Sequence, residues 1–268
     1  MTPSPQKNST TSFKGQNEMN AIAKPAQSKE RVVHFILQGK GGVGKSFIAS
    51  CIAQYLQDQG RPFRAYDTDP VNATLSGYEA FPVERIELMD GGTVNTRHFD
   101  QMIESILTDE KDFVLDNGAS SFIPLSFYMV ENGVIEMLVE SGIKVVVHTV
   151  ITGGQALADT LTGLQSLAQQ LPQGAEIVVW LNEFFGQIVA KNKAFEEMKV
   201  YQENRGRISG IVTIRKQTGE TFGEDVKMML DRRLTFGEVA QSEQFGLMAK
   251  QRLASVKRAL WSQLDLVI

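Results

Sequence analysis

The chain has 268 residues, 42% of them hydrophobic and 22% charged, which is enough apolar material for the core of one large α/β domain. Its 27 Lys+Arg against 31 Asp+Glu give a net charge of −4, which excludes a protein that coats nucleic acid by bulk charge and leaves only a local patch as a route to DNA. The single cysteine, Cys51, excludes an internal disulfide and fits a reducing cytoplasm, and no run reaches the roughly 18–20 apolar residues that span a bilayer.

Residues 1–30 are dominated by Ser, Thr, Asn, Gln, Lys and Pro with few apolar anchors, and they lack the apolar core of a secretory signal. They read as a disordered polar tail, with a partner-docking peptide as the alternative, and residues 31–268 read as one domain. Val32 to Leu37 is a strand pattern, and Gly39-Lys40-Gly41-Gly42-Val43-Gly44-Lys45-Ser46 follows it, leading into a helix through Phe47 to about Gln59. Strand, glycine loop and helix in that order are the context of a phosphate-binding loop. Its N–H groups and the helix N-terminus face a polyphosphate, Lys45 reaches the β- and γ-phosphates, and Ser46 ligates Mg²⁺. Residues 39–47 are therefore expected to hold ATP.

Lys40 is a second lysine inside the loop. Lys-Gly-Gly-Val-Gly-Lys-Ser resembles the deviant Walker A motif of the MinD and ParA ATPases, the nitrogenase iron protein and their relatives. The resemblance implies that Lys40 crosses a dimer interface to the partner's nucleotide, so that the active form is an ATP-bound homodimer.

Phe63 to Asp67 reads as a second strand, and carboxylates at its end suggest charge placed for Mg²⁺ and water, with a solvated acidic turn as the plainer reading. The stretch Asp67-Thr68-Asp69-Pro70 also resembles the first switch of ParA-type ATPases. This implies that Asp69 orients the attacking water while Asp67 sits by the metal's water shell. Val83 to Met89 reads as a strand closed by Asp90-Gly91-Gly92, and Thr96 to Leu107 as a helix with Phe99, Met102, Ile103 and Ile106 on one side. Phe113 to Asp116 is a buried strand ending in an acid, which makes Asp116 the Walker B candidate for Mg²⁺, or else a helix cap. Where ParA proteins usually place prolines, this chain has Asn117-Gly118-Ala119-Ser120-Ser121.

Lys144 to Val150 is a near-continuously apolar central strand whose His148 is more readily structural than catalytic. A helix is expected from Thr152–Gln155 to about Leu171, and a strand from Glu176 to Asn182. Asn182 resembles the residue that pairs with adenine in MinD-like ATPases; capping a turn is its competing role. Arg207 to Ile214 reads as the last strand, and Phe222 to Leu230 and Phe245 to Leu266 as helices. In the final helix, Leu253, Val256, Leu260 and Leu264 make an apolar stripe that packs on the sheet, with an interfacial membrane helix as the lesser reading.

Asp116-Asn117-Gly118-Ala119-Ser120-Ser121, His148-Thr149-Val150 and the segments above together resemble the TraL-type conjugal transfer proteins of broad-host-range plasmids, over about residues 32 to 265. The expectation is a doubly wound, mostly parallel α/β P-loop fold with ATP and Mg²⁺ at the carboxyl ends of the strands. Its expected function is weak ATP hydrolysis by a cytoplasmic accessory factor in plasmid conjugal transfer, with a protein partner in the conjugation apparatus. Three alternatives stand beside it. They are a ParA-like positioning protein that binds DNA nonspecifically, a nucleotide-binding module without turnover, and a small-molecule enzyme related to dethiobiotin synthetase.

Overall fold

The computed structural model describes residues 1–2, 30–90, 93–217 and 220–268, so the expected polar tail lies almost wholly outside the described residues. In chain order the strands and helices are β1 (Arg31–Ile36), α1 (Lys45–Asp58), β2 (Phe63–Asp67), β3 (Val83–Arg85), β4 (Met89–Asp90), β5 (Thr93–Val94) and α2 (Thr96–Thr108). There follow β6 (Asp112–Asp116), α3 (Phe122–Glu131), α4 (Val134–Glu140), β7 (Ile143–Thr152), α5 (Leu157–Gln170), β8 (Ala175–Asn182), β9 (Val189–Ala190) and β10 (Lys193–Ala194). The chain ends with α6 (Lys199–Asn204), β11 (Ile208–Ile214), α7 (Glu220–Asp231), α8 (Phe236–Gln241) and α9 (Leu247–Leu264).

Seven strands form one sheet in the order β11-β8-β7-β1-β6-β2-β3. Every neighbouring pair in it is parallel, so "mostly parallel" becomes wholly parallel for this sheet. Antiparallel pairing is confined to the small β4–β5 and β9–β10 ribbons. Alternation along the central strands sends Val33, Phe35, Leu115 and Val147 to a core beneath α2 to α5. Val32, Ile36, Val146 and Trp180 go to a second core beneath α1 and α7 to α9. Both faces are covered, as near-continuous apolar strands require.

The chain builds outward from β1 to β3 on one side and from β7 to β11 on the other. Parallel strands share one carboxyl end, and the loops after β1, β2 and β6 meet there, where this topology places ligands.

The final helix resolves its two readings. Leu253, Val256, Leu260 and Leu264 are buried in the second core, so the apolar stripe packs on the sheet. No single described helix is long and apolar enough to cross a membrane; only the bent pair α3 and α4, at 58°, has the length and composition together. Half of that pair is committed inward, with Leu125, Met129, Val134, Ile135 and Leu138 in the first core.

Candidate nucleotide site

β1 delivers the chain into the glycine loop, with Leu37 N–H donating to His148 O at 2.9 Å to fix the exit from the sheet. Gly44 has φ 105 and caps α1, a left-handed conformation that a side chain rarely tolerates. A Cβ there would also lie 2.9 Å from Asn182 Nδ2. Lys45 opens the helix, is almost fully buried, and donates from Nζ to Lys40 O at 3.1 Å. An ammonium curled over its own loop in this way sits where polyphosphate oxygens would replace the carbonyl. Burial lowers its pKa, and the nearby Asp116 and Asp69 work in the opposite sense.

Asp116 ends β6, directly across from Asp67 in β2 and Ile36 in β1. Both of its carboxylate oxygens are buried without a hydrogen-bond partner. Burial pushes its pKa up to about 7, Ser46 and Lys45 hold it down, and Asp67 and Asp69 add to the rise. Ser46 thus lies close enough to influence the carboxylate, although no hydrogen bond of ordinary geometry joins them. An unpartnered buried carboxylate is costly. Opposite a P-loop serine it has the donor chemistry for Mg²⁺, directly or through water, so the residues present fit that ion.

Asp67 is fully buried and accepts from Ser76 N and Ser76 Oγ at 2.9 and 3.0 Å through Oδ2, and from Asp69 N at 3.2 Å through Oδ1. It therefore anchors the loop that carries Asp69. Asp69 Oδ1 accepts from Val71 N at 2.8 Å and Asn72 N at 3.0 Å, which turns the loop back on itself. The Asp69 side chain lies against Gly118, where a Cβ would meet its Oδ1 at 2.8 Å and its Cα at 3.0 Å. The two acidic loops thus touch.

A cleft of ≈ 530 Å³ lies at this junction, lined by Gly42, Lys45, Ser46, Asp69 and Ala119 and by the aromatic Phe47 and Tyr78. The structure brings Gly41, Gly42, Gly44, Lys45, Ser46, Phe47 and Asp69 together around that one cleft, with Asp116 beneath. Lys40 points elsewhere, forming an exposed ion pair with Asp159 of α5 at 2.8 Å. Gly39 lies with Lys40 on that outer side of the loop. Asn182 Nδ2 donates to Val43 O at 2.9 Å and its Oδ1 accepts from Phe184 N at 3.1 Å. Its amide braces the phosphate loop and caps a turn.

Three polar residues around the site stand in the motifs or beside them, and the sequence assigned none of them a role of its own. Gln38 is buried and donates from Nε2 to Val150 O at 3.0 Å and Thr160 O at 3.3 Å, tying the phosphate loop to β7 and α5. Thr68 donates to Asp116 O at 3.0 Å and also to Asn117 Oδ1, locking the end of β2 to that of β6. Asn117 leaves its buried Nδ2 without a partner. An amide in a loop looks the same in sequence whether it caps a turn or joins two strand ends.

Residues 34–250 match the family described as the CobQ/CobB/MinD/ParA nucleotide binding domain. Two proteins of Escherichia coli, both named Protein TraL, are 49% and 48% identical over 233 residues, covering 87% of this chain and 97% of each relative. Among solved structures, the septum site-determining protein MinD of Pyrococcus horikoshii OT3, complexed with Mg-ADP, is similar at a TM-score of 0.48 and 17% identity. That similarity covers 88% of this chain and 96% of MinD. The MinC:MinD cell division protein complex of Aquifex aeolicus gives a TM-score of 0.46 at 15% identity, covering 87% and 96%. The chain belongs to the CobQ/CobB/MinD/ParA nucleotide-binding domain family and, within it, stands with the TraL proteins.

Proposed function

We propose that the protein is an ATP-binding, slowly hydrolysing switch that acts as an accessory factor in plasmid conjugal transfer, with residues 31–268 as its nucleotide-binding domain. The observation that carries the reading is Asp116, a buried carboxylate with two unpartnered oxygens beneath a complete phosphate loop. The loop amides and Lys45 hold the phosphates, and Gly44 lets the backbone close around them. Mg²⁺ held at Ser46 and Asp116 would neutralise phosphate charge. Asp69 orients the attacking water, Asp67 sets the loop that carries it, and Asn182 braces the phosphate loop through Val43 O. The site is expected to work in the cytoplasm.

Lys40 is the trans-acting residue in this reading. Its support is placement: the side chain is about half exposed and turned away from its own cleft, held among the described residues by one surface ion pair of the kind worth about 0–1 kcal/mol. Such a pair opens readily, leaving Lys40 to reach a second copy's nucleotide, so ATP drives homodimer assembly and partner engagement. Light scattering with ADP, ATP and a nonhydrolysable analogue tests this on wild type and Lys40→Ala. Wild type is expected to dimerise with ATP, and Lys40→Ala to bind ATP yet stay monomeric with reduced hydrolysis. ATP-dependent dimerisation unchanged in the variant would refute the trans role.

One observation favours a second reading, a nucleotide-binding module without significant turnover. Asp69 Oδ1 is already engaged by Val71 and Asn72, so orienting water requires that turn to rearrange. Phosphate release in excess of enzyme over several hours excludes that reading.

A further inference from the structure

α1, α3 and α4 are each followed by a glycine in the left-handed conformation, Gly60, Gly133 and Gly142 at φ 64, 59 and 74. α7 is followed instead by Arg233, at φ 53. The turn is the same one. Arg233 N–H donates to Leu230 O and Leu234 N–H to Met229 O, each at 3.0 Å, as Gly60 N–H and Arg61 N–H donate to Gln57 O and Leu56 O after α1. Glycine meets this geometry without strain, so an arginine here costs backbone energy that its side chain must offset elsewhere.

That side chain lies across Gly77. A Cβ on this glycine would meet the guanidinium, Nη1 at 2.5 Å and Nε at 2.6 Å, and would press on the Arg233 Cδ as well. Gly77 closes the short turn Leu75–Gly77, whose Leu75 is buried in the second core. Ser76 in that turn donates from N and Oγ to Asp67 Oδ2, while Asp67 Oδ1 accepts from Asp69 N. Asp67 therefore ties both ends of the loop from Asp69 to Ser76, and Arg233 clamps its far end from outside. α7 reaches the same region, since Leu230 lines the cleft together with Thr74 and Tyr78.

We propose that Arg233 is a positioning residue for ATP hydrolysis. It pins the far end of the Asp69–Ser76 loop through Gly77, so that only the near end moves when Asp69 takes hold of water. The inference rests on the hydrolytic reading above. Asp69 has to leave Val71 N and Asn72 N to reach water, and a fixed Gly77 confines that rearrangement to the residues before it. Arg233 does not line the cleft itself, so it acts on the loop and not on the nucleotide.

The test compares the full chain with Arg233→Gly, Gly77→Ala and the two combined. Turnover, ATP affinity, denaturation midpoint and amide hydrogen exchange of residues 69–78 without nucleotide are measured on each. Arg233→Gly relieves the left-handed backbone, so its midpoint is expected to equal or exceed that of wild type. Its kcat is expected to fall ~10-fold with ATP affinity within ~3-fold of wild type, and exchange across residues 69–78 to quicken ~10-fold or more. A residue that merely stabilised the fold would lower midpoint and turnover together. Gly77→Ala displaces the guanidinium and is expected to show the same fall in kcat, with no further fall in the double variant, because both changes break one contact. Wild-type turnover or unchanged exchange in Arg233→Gly, a midpoint that falls with turnover, or losses that multiply in the double variant overturns the proposal. A wild type that binds ATP and releases no phosphate overturns the hydrolytic reading and takes this proposal with it. The two failures are distinct, since one shows only in the variants and the other in wild type.

Discussion

His34 and His148 are fully buried side by side on the second core, His34 Nδ1 3.0 Å from His148 Nε2. Trp180 Nε1–H donates to His148 Nδ1 at 3.0 Å, so neutral His148 carries its proton on Nε2 and donates it to His34 Nδ1. That leaves the proton of His34 on Nε2, buried without a partner. Burial pushes the pKa of His148 down to about 3 and that of His34 well below its usual value. As pH falls through about 6.5, the unfolded chain takes up protons that the folded chain refuses, and stability is lost at up to ~1.4 kcal/mol per pH unit per histidine. Asp116 works in the other direction. Its folded pKa of about 7 lies above the usual 3.8, so acidification between those values relieves a buried charge and adds stability. Denaturant titrations at pH 6.5 and pH 5 are therefore expected to show a modest loss in wild type. The loss should be steeper in Asp116→Asn, where the relief is gone, and shallower in His148→Gln. Equal stability of Asp116→Asn at both pH values would contradict the assignment of two buried neutral histidines.

At the level of elements, the junction between the Asp69 loop and the loop after β6 is the mechanical centre of the site. Gly118→Ala would push a methyl against Asp69 Oδ1 and against its backbone Cα, which cannot rotate away. The expected outcome is a fall in ATP hydrolysis of ~10-fold or more with ATP affinity within a few-fold of wild type, since displacing a positioning group costs turnover before binding. Turnover equal to wild type in Gly118→Ala would remove Asp69 from the mechanism.

The elements differ in how far the sequence exposes them. The phosphate loop and the strands ending at Asp67, Asp116 and Asn182 are legible because apolar runs stop at glycines or acids. The helix from about Thr96 appears as Thr96–Thr108 because Phe99, Met102, Ile103 and Ile106 keep helical spacing into the core. Residues 122–140 escape that reading, since Ile123, Phe127 and Val130 are apolar on the outside as well and erase the amphipathic contrast that marks α3 and α4. The ribbon β9–β10 has two residues per strand and turns through Lys191 and Asn192 at positive φ, too short a pattern to register. The strand expected from Val83 to Met89 stops at Arg85, with Met89–Asp90 pairing separately, and the helix expected from Phe245 begins at Leu247, after an unforeseen α8. Asn182 was legible as a residue at a strand end. Its bond to Val43 O is not, because that partner lies 139 residues away in sequence.

For the whole molecule, α9 closes the second core against the sheet, with Gln263 bonded to both the N–H and the C=O of Thr213 in β11, at 2.7 and 3.2 Å. Burial of Leu253, Val256, Leu260 and Leu264 contributes about 1.5–3 kcal/mol each, so deleting residues after Gly246 removes stabilisation comparable to a typical domain's whole margin of about 5–15 kcal/mol. The truncated chain is expected to aggregate on expression. A folded, monomeric truncation that has merely lost attachment to membranes would contradict the packing role of α9. The same fold brings the three strand ends into one cleft, and the account rests on what that cleft holds. Isothermal titration of the purified, folded chain with ATP in excess Mg²⁺ tests this most directly. The expected result is one site per chain with micromolar affinity, weakened ~100-fold or more in Lys45→Ala at unchanged circular dichroism. No heat of binding with millimolar ATP, or equal affinity in Lys45→Ala, would contradict it.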